Sequence, residues 1–214
     1  MSSRQDRYPS YSPDGSRIAF VSVRSGDWEV WVCDSDGSNP VQLTSFRHGG
    51  TERPSWSTDG KQIRFTSNAE GHSQDYVIDV TGGTARKFET LSGAAARLFP
   101  PRGASPDRKL RYFTRDGGVL SVPIEGGQER AVFTFPKPIM YFEVCAAGIY
   151  FLTFGTTSPS ELMFYRFPNG PITKVAAAVN PAQVGLSVSP DGRWLLYTKL
   201  TSLGSDLMLV ESFN

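Results

Sequence analysis

The chain is poor in the residues that usually announce chemistry. Its 214 residues hold only two cysteines and two histidines. Cys33 and Cys145 lie far apart, each in an apolar, strand-like context. They offer neither a disulfide framework nor paired zinc spacing, and read as buried free thiols. No apolar run approaches the roughly 18 residues that mark a membrane-spanning helix. Lys and Arg number 22 against 21 Asp and Glu, a net charge of +1, which argues against bulk attraction to nucleic acid or anionic membrane. The opening residues Met1 to Arg7 have no apolar core of a signal peptide, so the compartment is cytoplasmic only by default. A nucleophile elbow is also absent, because Gly185-Leu186-Ser187-Val188-Ser189 fails at its last position. There is no phosphate-cradling Gly-Lys-Ser/Thr loop and no His-Glu-x-x-His.

What the chain has is turns: 21 glycines and 15 prolines. Ser12-Pro13-Asp14-Gly15 precedes the apolar run Ile18-Ala19-Phe20-Val21. The pattern returns at Ser57-Thr58-Asp59-Gly60, at Ser105-Pro106-Asp107-Arg108 and at Ser189-Pro190-Asp191-Gly192. The aspartates are 45, 48 and 84 residues apart. The last gap is double, and Cys145-Ala146-Ala147-Gly148 falls near its midpoint. A second marker, Asp36-Gly37, Gly82-Gly83, Gly126-Gly127 and Asn169-Gly170, recurs with the same spacing and reads as a hairpin turn. Five units follow, at about 1–45, 46–90, 91–134, 135–178 and 179–214, within a single domain. Asp14, Gly15, Asp59, Gly60, Asp107, Asp191 and Gly192 are turn residues. Asp bonds a following N–H and Gly accepts positive φ. Arg108 stands where Gly is expected. A left-handed arginine costs about 1–2 kcal/mol, so a different turn type is expected there.

Each unit holds four short strands, in the first Tyr8–Ser12, Arg17–Val23, Glu29–Cys33 and Val41–Thr44. A second strand that is continuously apolar is buried on both faces. Four-stranded sheets repeating every 40 to 45 residues describe an all-β propeller of about five blades. The fifth unit stops after its third strand, so an open or partner-completed ring, a fragment of a larger propeller, is expected. Its unpaired edges would permit self-association.

The units resemble the WD40-like, TolB-type propeller repeat, PD40. The first matches through Ser12-Pro13-Asp14-Gly15, Arg24-Ser25-Gly26, Asp34-Ser35-Asp36-Gly37 and Leu43-Thr44. The opening and closing segments also look like the C-terminal propeller of large bacterial winged-helix regulators or protein kinases. The resemblance implies a propeller and leaves activity open, because such a fold hosts many functions. Two readings follow: a non-catalytic scaffold that binds a protein or peptide, or the sensor or accessory propeller of a regulator, kinase or prolyl-oligopeptidase-like enzyme.

Site candidates come from topology. Loops entering a blade and loops joining its second and third strands share one rim. The candidate binding residues there are Trp28, His48, Glu52, His72, Asp75, Arg97 and Arg102. His48 and Glu52 are expected near His72 and Asp75, an imidazole–carboxylate set able in principle to hold a transition metal or move protons. Solvated loops are the simpler reading, and neither metal nor cofactor is assigned. Residues 91–103 fit the strand pattern poorly and read as an elaborated loop. Asp34-Ser35-Asp36-Gly37-Ser38-Asn39 lacks the later ligands of a calcium loop and reads as a turn.

Overall fold

A computed structural model describes residues 5–46, 49–88, 99, 103–153, 160–179, 185–201 and 204–211. Among them every regular element is a β-strand, and the strands form five antiparallel sheets. The first sheet holds β1 (Asp6–Tyr11), β2 (Arg17–Ser22), β3 (Glu29–Asp34) and β4 (Val41–Gln42). The second holds β5 (Thr51–Trp56), β6 (Gln62–Ser67), β7 (Gln74–Asp79) and β8 (Arg86–Lys87). The third holds β9 (Leu110–Arg115), β10 (Gly118–Pro123) and β11 (Arg130–Thr134). The fourth holds β12 (Ile139–Cys145), β13 (Gly148–Thr153), β14 (Ser160–Arg166) and β15 (Ile172–Val179). The fifth holds β16 (Leu186–Val188), β17 (Trp194–Thr201) and β18 (Gly204–Glu211). Strands pair only with their sequence neighbours. This is the up-and-down meander of β-propeller blades. In the third sheet, only the bridge Ala104↔Arg111 stands where a first strand is expected. The expected helical turn or loop at 91–103 falls almost wholly outside the described residues, as does most of the Ser/Thr/Pro segment 155–160. The chain divides into two compact units, one holding the first, second and fifth sheets and the other the third and fourth.

In the first unit the core follows from β2. Ile18, Ala19, Phe20 and Val21 are all nearly inaccessible, as a strand covered on both faces must be. Their side chains alternate. Ala19 and Val21 join Val30, Ile63, Phe65 and Tyr76 in a core shared by the first and second sheets. Ile18 and Phe20 join Tyr11, Cys33 and Leu196 in a core shared by the first and fifth. Burying each large side chain contributes about 1.5–3 kcal/mol. Trp56 Nε1 donates to the Ser10 carbonyl at 2.9 Å, tying the first strands of two sheets together. An internal ion pair closes the other end of the first sheet. Arg24 Nη2 donates to both oxygens of Asp6 at 3.0 and 2.9 Å, and Arg24 Nε donates to Ser22 Oγ. Cys33 is a buried free thiol, pushed up to about 11 chiefly by burial. Cys145, half-buried in the second unit, is also free.

In the second unit β13 repeats the pattern. Ile149, Tyr150, Phe151 and Leu152 are buried. Phe151 lies 5.2 Å from Phe133, whose ring centre is 4.5 Å from that of Tyr165. On the opposite face the tilted rings of Tyr150 and Phe164 have their centres 4.4 Å apart.

The repeated turn is a closed hydrogen-bond set. Ser12 Oγ donates to Asp14 Oδ1 at 2.6 Å and accepts from the Arg17 amide at 2.9 Å. Gly15 N donates to the Ser12 carbonyl, and Gly15 takes a φ of 72°. The same bonds recur at Ser57/Asp59, Ser105/Asp107 and Ser189/Asp191. The turn at Asp107 was expected to be of another type, and it is not. Arg108 adopts a φ of 58°, its amide donates to the Ser105 carbonyl at 2.8 Å, and Asp107 accepts from Ser105 Oγ and Lys109 N. The bonds shared by the other copies outweigh the left-handed strain of about 1–2 kcal/mol.

Two outcomes are expected from these turns. Serine hydroxyls and backbone amides hold Asp14 down at about 2, below the usual 3.8. A depressed carboxylate contributes stability that is present above its unfolded pKa and lost as pH falls through its folded one. Thermal midpoints measured between about pH 4 and pH 2 should therefore fall, and Asp14→Asn should flatten part of that fall. Arg108→Gly removes the strain against the extra backbone entropy of glycine. It should leave stability unchanged or raise it by up to about 1 kcal/mol in urea unfolding, whereas Gly15→Ala should lower it.

Candidate functional site

The rim residues that can be placed sit at the end of the first unit where β2 turns into β3 and β6 into β7. Trp28, half-buried, immediately precedes β3. Its ring is covered by Arg7, whose Cζ lies 3.9 Å from the ring centre. Arg7 Nη2 donates to Gln5 Oε1 at 2.9 Å, while its Nε is buried with no hydrogen-bond partner among the described residues. Burial pushes the guanidinium below its usual pKa, with Tyr8 and the Glu52 carboxylate pulling the other way. An arginine remains charged under such a shift. Thr51 Oγ1 donates to the Trp28 carbonyl at 2.6 Å, which fixes the entry of β5 against the β2–β3 loop. Glu52 follows directly and is half exposed, 3.9 Å from Arg53 Nε.

Glu29 explains why the neighbouring backbone is rigid. It is buried, its Oε1 accepts from the Phe46 amide at 2.6 Å, and its other oxygen accepts from the Thr44 hydroxyl. Thr44 Oγ1 in turn accepts from Val30 N at 2.9 Å. A buried carboxylate used in this way orders the path leaving β4 and is not available to a ligand.

Of the expected histidine–carboxylate set, Glu52, His72 and Asp75 lie among the described residues. Asp75 is half-buried and engaged, accepting from Thr66 Oγ1 at 2.8 Å across the β6–β7 pair. His72 is exposed, and Glu70 nearby in the same loop pairs with Lys87 at 2.6 Å. Among the described residues no three His, Cys, Asp or Glu side chains are grouped to hold a metal ion. His48, Arg97 and Arg102 lie outside the described residues. The faint calcium loop is a hairpin turn. Asp34 Oδ2 accepts from Ser38 Oγ and Asn39 Nδ2, and Asp36 Oδ1 accepts from Ser38 N and Oγ.

Two residues escaped the sequence reading. Tyr8 and Arg53 have φ of 53° and 54°, each immediately before a proline and each at a β-bulge in the first strand of its sheet. A non-glycine residue held left-handed costs about 1–2 kcal/mol, and such strain concentrates where a side chain must be aimed. The repeated sequence signal was a large residue before Pro-Ser at Tyr8-Pro9-Ser10 and Arg53-Pro54-Ser55.

The profile of the TolB beta propeller domain family, PD40, matches residues 4–132. A TolB homologue of Chlorobaculum tepidum is 54% identical over 33 residues, which are 15% of this chain and 8% of that protein. One from Chlorobium chlorochromatii matches to the same extent. Of solved structures, TolB from Acinetobacter baumannii superposes with a TM-score of 0.55 at 18% identity, covering 97% of this chain and 52% of that one. A chain of the mitotic checkpoint complex superposes at 0.62 with 15% identity, covering 97% and 90%. The chain thus spans about half of the TolB structure, and these low identities speak for the fold alone. The expected closer kinship with propellers of winged-helix regulators or kinases finds no support in these matches. Among the described residues no helix is long and apolar enough to cross a membrane. With the family profile covering more than half of its length and five antiparallel blade sheets behind it, this chain belongs to the TolB-type (PD40) β-propeller family.

Proposed function

We propose that the chain is a non-catalytic scaffold that binds a protein or peptide partner at the rim around Trp28, Glu52 and His72. The observation that carries this reading is the Arg7–Trp28–Glu52 group. It is an aromatic ring, a stacked guanidinium and a half-exposed carboxylate, set on backbone pinned by Thr51 and Glu29. Half-exposed aromatics beside charged groups on rigid backbone are the usual anchors of recognition. Tyr8 and Arg53, held left-handed in the adjoining first strands, belong to the same end. The perturbed carboxylates speak against acid–base chemistry. Asp14, Asp36, Asp59, Asp107 and Asp191 are all lowered by turn hydrogen bonds. That locks the ionised form, the reverse of a general acid raised toward neutrality.

Selection of peptides from a displayed library against the whole chain tests this. Selected binders should lose at least about tenfold in affinity for Trp28→Ala and for His72→Ala or Glu52→Gln, one anchor contact being worth about 1.4 kcal/mol or more. Glu129→Gln, in the other unit, should bind normally. Equal binding by every variant would remove this rim from consideration, and turnover of the bound peptides would end the non-catalytic reading.

A further inference from the structure

Of the hairpin markers that repeat along the chain, the one between β14 and β15 pairs asparagine with glycine, at Asn169-Gly170. The geometry accounts for both residues. Asn169 takes a φ of 52°, a left-handed conformation that asparagine tolerates better than most side chains. Gly170 lies so close to the end of β14 that a Cβ there would stand 2.8 Å from the Arg166 carbonyl oxygen and 2.9 Å from Arg166 Cβ. Only a residue without a side chain fits. That requirement has a chemical consequence. The backbone nitrogen of glycine is the least hindered nucleophile that a chain can place after an asparagine carboxamide.

Other asparagines are guarded. Asn39 and Asn180 precede proline, whose nitrogen carries no proton to lose. Asn39 Nδ2 also donates to Asp34 at 2.7 Å. Asn68 precedes alanine, and its Oδ1 accepts from the Gly50 amide at 2.5 Å. Asn169 is exposed, and among the described residues its carboxamide makes no hydrogen bond. Its backbone is tied instead. Asn169 N donates to the Tyr165 hydroxyl at 3.1 Å, and that hydroxyl reaches the Val132 carbonyl of β11 at 3.5 Å. Tyr165 is buried, its ring centre 4.5 Å from that of Phe133. The turn is thus joined to the packing of the fourth sheet on the third.

We propose that Asn169 is a site of spontaneous covalent modification, at which the carboxamide is converted to aspartate and isoaspartate. The Gly170 nitrogen attacks Asn169 Cγ. The new N–Cγ bond closes a five-membered succinimide while the Cγ–Nδ2 bond breaks. The displaced amino group leaves as ammonia, taking the proton from Gly170 N. Water then opens the ring at either carbonyl. Cleavage at Cγ gives aspartate, and cleavage at the main-chain carbonyl gives isoaspartate, with one extra methylene in the backbone. Nothing is oxidised or reduced. Gly170 N donates to the Arg166 carbonyl at 2.9 Å, and that bond must open first. A backbone bond of ordinary strength slows the step by about two- to tenfold. Either product adds one negative charge at neutral pH and takes the chain from +1 to neutral. Isoaspartate also lengthens the turn and draws its amide away from Tyr165.

The test is incubation of the folded full chain in mildly alkaline buffer, beside the free peptide Phe-Pro-Asn-Gly-Pro that copies residues 167–171. Peptide mapping by mass spectrometry locates the products, and an isoaspartate methyltransferase counts the isoaspartate. Both products should accumulate at residue 169, at no less than about a hundredth of the peptide's rate. Asn68 should stay intact over the same period. Asn169→Gln, whose closure would need a six-membered ring, should abolish the reaction. The isoaspartate form should melt below the unmodified chain. The difference should shrink in Tyr165→Phe, which lacks the hydroxyl that ties the turn. Three results would overturn the proposal: no product at residue 169 while the peptide converts fully, conversion of Asn68 as fast as of Asn169, or equal melting of the modified and unmodified chains. None of them bears on Trp28 and its rim, which the displayed-library experiment tests alone.

Discussion

The structure depends on one constraint: the second strand of a sheet is apolar on both faces, so its sheet cannot be satisfied alone. In β2, Ile18 and Phe20 point one way and Ala19 and Val21 the other, and all four are nearly inaccessible. A strand has side-chain period 2, so the two sets need two different neighbours. They find them in the cores shared with the fifth and second sheets. A single isolated sheet of this kind would expose a full apolar face, and this is why the unit repeats and why its blades are stable only side by side. Register matters for the same reason. A slip of one residue in β2 would exchange the two sets and empty both cores.

The serine–aspartate turn is what holds that register. It joins the first strand to the second with side-chain bonds that bracket both ends of the reversal. Ser12 receives the Arg17 amide while its own hydroxyl donates to Asp14. The bonding set is strong enough to impose a left-handed conformation on Arg108, against the preference of any non-glycine residue. Turn geometry here is set by the serine and aspartate, and the glycine that usually follows them eases the strain without determining the form.

Much of this was legible in the sequence for a physical reason: turns and buried strands are local. The positions of Asp14, Asp59, Asp107 and Asp191, the two-faced apolar runs and the incomplete fifth sheet all follow from short-range patterns. The misreading at Arg108 came from weighing a backbone preference without the four bonds that oppose it. The rim was legible only in outline. Topology put Trp28, Glu52, His72 and Asp75 at one end of the sheets, but it could not show that Thr66 already uses Asp75 or that Arg7 lies on Trp28. Both depend on cross-strand register and on rotamers. Tyr8 and Arg53 escaped because positive φ at a bulge before proline leaves little trace beyond the proline itself.

A cavity between the first and fifth sheets, at the end opposite the rim, shows why a residue's structural role does not exhaust its chemistry. Asp14 and Asp191 read as turn residues, and the structure confirms that each closes its turn. They lie nearly the whole chain apart, and only the packing of the first sheet against the fifth places them around one space. Each turn bond that orders an aspartate also lowers its pKa, so the repeat that builds the blades leaves fixed negative charge wherever two turns meet. Whether such a junction can select a ligand then rests on what else lines it. Beside Asp14 and Asp191 stand the side chains of Tyr11 and Trp194. At the corresponding turn of the second sheet, Arg17 lies 5.1 Å from the centre of the Trp56 ring.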